Sequence, residues 1–333
     1  MIPFGLIMNL PSVTIVIPSY NSEKTISEAL EGCLKQDYPL EKMEIIVVDD
    51  GSIDATKSVI GKYNVRYRYQ QNNGPASARN NGWRHANSEI VAFLDSDCVP
   101  RRNWIKKMMM QYTSDDIVCV GSRYGIANPR SLLACCIYFE FLVRYKRMPR
   151  HPKFLGSHGY SFRKSFLESI NGYNEGYTMA SHEDNELAYR IVAKGYYTVF
   201  DKSNIVDHYF PTGMVRYLTI QFWHGFWRMK LYVDHPRMVI GDDYSDLWDY
   251  MQPPLMVLLL ALSPFIFINA VIPIVLGLLC CLIFLQLPIT VSIVTLIRKK
   301  RYVVYIPFGI VRAGARCFGM IIGIIYFWIQ RKK

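Results

Sequence analysis

The chain has 333 residues, 51% of them hydrophobic, and a formal net charge of +11; that is more than one average domain and enough for a sizeable core. The placement of the charge argues against a nucleic-acid partner: no acid follows Asp249, and nine of the 38 bases lie beyond it, leaving 29 against all 27 acids. A basic excess confined to an apolar tail points to membrane orientation and anionic lipid. The eight cysteines form no Cys-x-x-Cys pair, which excludes a disulfide framework and a zinc pattern. With no Asn-x-Ser/Thr sequon, they favour a reducing, cytoplasmic setting for the soluble part. Residues 1–11 are an N-terminal segment without a basic n-region, not read as a signal peptide.

Val13 to Ile17 is a β-branched run ended by Pro18, the pattern of a buried strand. Ile26, Ala29, Leu30, Cys33 and Leu34 then share one helical face. Ile45 to Val48 is a second buried strand, running into Asp49-Asp50-Gly51-Ser52. A helix over Asp54–Tyr63, a strand over Val65–Tyr69 and a helix opened by Gly74-Pro75 follow. Ile90 to Leu94 is a strand that ends in Asp95-Ser96-Asp97. Such alternation predicts an α/β fold, a Rossmann-like sheet with helices on both faces. Polar residues gather after the strand ends, where such sheets place a nucleotide. Residues 12–100 are read as this nucleotide-binding half. The next part, 101–232, is less regular. It holds helices over Arg101–Tyr112, Ser181–Lys194 and Val215–Tyr232, a strand over Ile117–Gly121, and an amphipathic segment over Ser131–Arg147 that suits an interfacial or a core helix.

After a linker over 233–252, residues 253–333 read as a membrane domain of two to three helices. From Tyr250 to Ile297 there is no charged residue, and a span needs about 20 apolar residues, so two helices fit, with the turn near Asn269 or Pro273. Arg298-Lys299-Lys300-Arg301 should stay cytoplasmic. Tyr302 to Gln330 is apolar but for Arg312 and Arg316, which suits a third span or a short hairpin.

Pro18-Ser19-Tyr20-Asn21, Val47-Val48-Asp49-Asp50-Gly51-Ser52, Gly74-Pro75-Ala76-Ser77-Ala78-Arg79-Asn80-Asn81-Gly82, Phe93-Leu94-Asp95-Ser96-Asp97 and His182-Glu183-Asp184 occur in this order. Over about residues 12–210 they resemble the family 2 glycosyltransferases of the GT-A fold. The resemblance implies an inverting, metal-dependent transferase using a nucleotide-diphosphate sugar with Mg²⁺ or Mn²⁺. It makes Asp97 a metal ligand, gives Asp95 the ribose or a share of the metal, and makes Asp50 an acceptor for the nucleobase. Pro18, Tyr20 and Asn21 would wall the base pocket, Glu23 would either reach the base or favour the helix N-terminus, and Ser52, Ala78 and Ser96 belong to the same nucleotide-sugar motifs. Arg79 has two readings, a diphosphate or base contact and an internal salt bridge. Asp184 would be the catalytic base and Glu183 an acceptor contact; Ser181 and Asp184 also have capping-box spacing. His208 would be a third metal ligand or a diphosphate contact, and Gly156-Ser157-His158 would line the acceptor site. Arg228 and Lys230 either clamp a phosphate or snorkel at the interface.

Gln221-Phe222-Trp223-His224 does not match the Gln-x-x-Arg-Trp motif of the family's processive synthases. The expected protein is thus an integral membrane enzyme with a cytoplasmic catalytic domain. Its acceptor would be a lipid-linked, polyprenyl-diphosphate glycan, with polyprenyl phosphate as the alternative. A non-catalytic nucleotide-sugar-binding scaffold is the reading from another class.

Overall fold

The computed structural model describes residues 10–153, 156–240, 243–245 and 247–330. It divides into two compact units: the described parts of Met1–Pro129 with Pro149–Phe210, and of Arg130–Met148 with Pro211–Lys333.

The first unit is built on strands β1 (Val13–Ser19), β2 (Met43–Asp49), β3 (Arg66–Tyr69), β4 (Ile90–Phe93), β5 (Cys98–Pro100), β6 (Ile117–Ile126), β7 (Tyr160–Arg163) and β8 (Tyr197–His208). They form one sheet in the order β3-β2-β1-β4-β7-β6-β8-β5. The first four are parallel, with Ile15 opposite both Ile45 and Ala92. β7 then lies antiparallel between β4 and β6, and β5 antiparallel to β8, so the sheet is mixed. Alternating side chains feed two cores, as the period of two along a strand requires. Ile15, Ile17, Ile45 and Val47 pack with Ile26 and Leu30 of α1 (Ile26–Leu34) on one face. Val16, Val91 and Phe93 pack on the other with Trp83, Leu187 and Ile191.

Two further helices of this unit are shorter than their sequence patterns. α2 is Thr56–Ile60, because the Asp54 carboxylate caps the Thr56 N–H at 3.0 Å and Gly61 follows Ile60. α3 (Pro75–Arg84) matches its motif, whereas α4 is only Trp104–Met109. Gly82 lets α3 lie against β1: a Cβ there would sit 2.2 Å from Val16 Cγ1. The segment over Ser131–Arg147 is α5 (Leu132–Arg147), which belongs to the second unit. α6 (Lys164–Ser169) and α7 (Glu183–Ala193) complete the first.

The second unit continues with α8 (Met214–Asp234), α9 (Leu247–Leu262), α10 (Ile272–Ile297) and α11 (Tyr305–Gln330). Among the described residues, two stretches are long and apolar enough to cross a membrane, Ile272–Ile297 with mean hydropathy 2.6 and Lys300–Phe327 with 1.6. α9 has 16 residues, among them Asp249, Pro253 and Pro254. Residues 302–330 do not form a hairpin: α11 runs through Arg312 and Arg316 unbroken. Both arginines find partners inside the unit. Arg312 bonds the buried Glu140 carboxylate and the Tyr305 hydroxyl, the latter at 2.8 Å, and Arg316 reaches Gln221 Oε1 at 2.6 Å. Glu140 also takes two bonds from Arg144, which in turn holds Asp249 at 2.6 and 2.8 Å. This satisfies the rule that buried charges are paired.

Candidate functional site

The loop after β1 is stitched to the loop after β2. Pro18 is buried and Tyr20 half exposed. Asn21 takes a left-handed backbone, φ 48, which Asn tolerates better than most residues. Its N–H donates to Ser52 Oγ at 2.9 Å, and its side-chain oxygen accepts from the Ile53 N–H at 2.9 Å. Glu23 accepts from the Ala55 N–H at 3.0 Å. Among these residues it is Tyr20 that presents a large exposed ring beside the strand ends.

Asp50 is 4% exposed and holds the next loop. Its carboxylate accepts from Gln70 Nε2 at 2.7 Å and from the N–H groups of Asn73 and Gly74 at 2.9 Å. Burial pushes its pKa up, against those three donors. Gly74 is required there, since φ is +89 and a Cβ would meet the Thr178 carbonyl oxygen at 2.3 Å. Ala78, one turn into α3, is fully buried.

Arg79 has internal partners. Its guanidinium donates to Asp95 Oδ1 and to Glu183 Oε1, both at 2.8 Å, with its side chain 2% exposed. The Tyr173 ring lies beneath it, 5.5 Å away. The buried Glu183 Oε2 and Arg79 Nε have no hydrogen-bond partner. Arg79 is therefore an internal bridge that ties α3, the end of β4 and the start of α7 together.

Asp184, next along α7, is partly buried. Burial and then the neighbouring Glu183 charge push its carboxyl pKa well up. Arg79 opposes both, and Asp95 adds to the rise. His182 enters the helix in a left-handed conformation, φ 68, with no side-chain cap bond. The Ser181 hydroxyl meets His182 Nδ1 at 2.8 Å, and Asp184 Oδ1 accepts from the Asn185 N–H.

Asp97 meets His208 across the β5–β8 pairing, where Cys98 is opposite His208. His208 Nε2 lies 3.4 Å from Asp97 Oδ2. Asp97, Cys98 and His208 each offer one donor atom within 4.8 Å of the others. A carboxylate with an imidazole suits Mn²⁺, and the carboxylate alone suits Mg²⁺, so the donors fit a divalent ion. Cys98 is fully buried, and burial and then the Asp97 charge push its thiol pKa well up. A protonated thiol is a poor ligand. Ser96, between the acids, is partly exposed.

Two residues at this site carried no sequence signal. Tyr124 stacks on His158 with centroids 3.4 Å apart and also contacts His208 at 4.8 Å. Phe210 closes on His208 at 4.5 Å. His158 is 2% exposed and bonds the Ser122 carbonyl oxygen at 3.1 Å, and burial, then His208, lowers its pKa well below the usual value. It is thus a neutral residue packed behind His208. Gly156 precedes it, where a Cβ would meet His158 Nδ1 at 2.8 Å; the side chain of Ser157 lies outside the described residues. Arg228 and Lys230 belong to the second unit, where they bond Tyr232 and Asp234 one turn on, at 3.3 and 2.9 Å.

Comparison with known proteins adds the following. The model of the glycosyl transferase family 2 matches residues 14–170. The chain is similar to Glycosyltransferase AglE of Haloferax volcanii, 31% identical over 138 residues, 40% of this chain and 45% of that one. It is also similar to the pre-mycofactocin glycosyltransferase of Mycobacterium tuberculosis, 25% identical over 235 residues, 67% of this chain and 48% of that one. The chain spans about half the length of the curated relatives it matches. Among solved structures, mannosyltransferase PcManGT from Pyrobaculum calidifontis, in complex with GDP-Man and Mn²⁺, superposes with TM-score 0.59 at 21% identity. That match covers 93% of this chain and 87% of the other.

Proposed function

The chain carries a glycosyl transferase family 2 domain on a GT-A fold, and from that premise we propose that it moves a sugar from a nucleotide-diphosphate donor to a membrane-associated acceptor with inversion. The observation that carries the reading is the convergence of strand-end acids and His208: Asp97 and His208 are 3.4 Å apart, and Asp95 bridges through Arg79 to Glu183, beside Asp184.

An inverting transfer is one in-line displacement, so the acceptor hydroxyl gives its proton to a base facing it. Asp184 takes that role. A pKa raised by burial and by Glu183 moves a carboxylate towards the operating pH, where a general base works best. Arg79 holds Glu183 and Asp95 at fixed positions, and Asp50 fixes the loop that carries Gly74. Asp97 and His208 would hold the Mg²⁺ or Mn²⁺, which supplies positive charge to the leaving diphosphate when bound. Tyr20 offers a face to the nucleobase. The two candidate spans support an acceptor held at the bilayer, a lipid-linked diphosphate glycan with a free hydroxyl.

The test is nucleotide-sugar hydrolysis by the detergent-solubilised chain across a panel of donors. We expect turnover with one nucleobase, lost on chelation and in Asp97→Ala. A non-catalytic scaffold would show no turnover with any donor, and a rate indifferent to chelator and to Asp97→Ala would refute the metal assignment. Asp184→Asn separates the acceptor classes. Near-complete loss of transfer marks a hydroxyl, which needs a base, and a modest loss marks a phosphate, already an anion.

A further inference from the structure

Within the second unit, α5, α9, α10 and Arg312 of α11 enclose a cavity of about 640 Å³. This is within the usual range for a small-molecule site, about 300–1,000 Å³. Among the described residues that line it, Arg144, Lys146, Arg147, Arg298 and Arg312 are basic and only Asp249 is acidic. Arg144 and Arg312 already hold Asp249 and Glu140, so even with Glu140 counted the bases prevail. Arg312 is 1% exposed, and its buried Nε has no hydrogen-bond partner.

Along α10 the lining runs from Leu285 to Arg298, a length of roughly 20 Å at about 1.5 Å per residue. The apolar side chains of Leu285, Pro288, Ile289 and Leu296 face the same cavity as the basic groups of Arg144, Arg147 and Arg298, and Trp248 joins the lining. A purely apolar ligand would not require the bases, and a free anion would not require the apolar side chains. Guanidinium groups match phosphate oxygens in geometry as well as charge.

We propose that this cavity binds an amphiphile with a phosphate or diphosphate head. The phosphate meets the guanidinium groups of the lining, Arg147 and Arg298 among them, and the hydrocarbon meets Leu285, Pro288 and Ile289. Binding does not depend on sugar transfer; only the identification of the ligand as the acceptor rests on the proposed function.

Farnesyl phosphate added to the detergent-solubilised full chain is the probe, followed by tryptophan fluorescence and native mass spectrometry. Saturable binding is expected, at least tenfold tighter than for farnesol, and at least tenfold weaker in Arg147→Ala/Arg298→Ala. Ser292→Trp fills the cavity from the middle of α10 without changing its charge and should also abolish binding, which guards against a misfolded double variant. Equal binding of farnesol and farnesyl phosphate, or unchanged binding in both variants, overturns the proposal. Nucleotide-sugar hydrolysis in water by Arg147→Ala/Arg298→Ala should stay at the wild-type rate, which separates loss of this site from failure of the transferase reading. Consumption of farnesyl phosphate with a nucleotide sugar identifies a lipid acceptor. Displacement by phosphatidylglycerol without turnover identifies a bilayer lipid, and either result supports the site.

Discussion

Arg79 shows what a sequence withholds at the scale of a residue. Its motif is plain, yet its partners are 16 and 104 positions away, so nothing local chooses between a ligand contact and an internal bridge. Breaking a buried ion pair from one side costs about 3–5 kcal/mol. We therefore expect Arg79→Met to lower Tm sharply and Arg79→Met/Glu183→Gln to recover part of the loss in thermal melts. Asp184 has a sign that can be worked out. Its carboxyl is raised above the ordinary 3.8 in the folded state, so over that window the folded chain keeps a proton the unfolded chain has released. Stability then falls as pH rises from the unfolded value to the folded one. Asp184→Asn should flatten that slope and raise Tm at neutral pH, while turnover drops by about 10²–10⁴-fold, the usual share of a general base. At the start of α7 a left-handed His182 brings its imidazole to the Ser181 hydroxyl, a contact that the Ser181–Asp184 spacing did not signal. Asp97 and His208 were joined on one metal only by the family resemblance; their meeting depends on an antiparallel pairing of residues 110 apart that no spacing reveals.

At the scale of elements, the parallel strands β1, β2 and β4 were legible because each is a continuous apolar run buried on both faces. β7 was not. Tyr160–Arg163 has four residues and no turn signal of its own, and its place between β4 and β6 is set by neighbours far along the chain. α3 offers a test of packing against propensity. Ala in place of Gly82 would favour the helix by about 1 kcal/mol, but its Cβ would overlap Val16 Cγ1 at 2.2 Å. Overpacking of this kind costs about 1–3 kcal/mol, so Gly82→Ala should destabilise in denaturant melts. Val16→Ala added to it should restore much of the loss. The two terminal helices were legible from their apolar length alone, whereas the continuity of α11 was not: the partner that tolerates Arg312 is Glu140, 172 residues earlier.

At the scale of the whole molecule, the two units are interleaved along the chain. The chain leaves the first unit at Pro129, returns at Pro149 and leaves again at Phe210. The two departures are clasped together: Asn128 donates to the Phe210 carbonyl at 2.6 Å and accepts from its N–H at 3.1 Å. A variant ending at Phe210 therefore keeps α5 without the helices it packs on and should aggregate. The same variant with residues 130–148 replaced by a short Gly/Ser linker should give a soluble, cooperative unfolding transition. Interleaving also orders events in time. At about 5–20 residues per second, the ribosome needs roughly 10–30 s to pass from Glu140 to Arg312, 172 residues on. During that interval the Glu140 carboxylate has Arg144, one turn on, but lacks the second cation, Arg312, that completes its pairing. Closure of the second unit must therefore wait for the last helix to be made, and anything that stalls synthesis in the tail strands the middle of the protein as well.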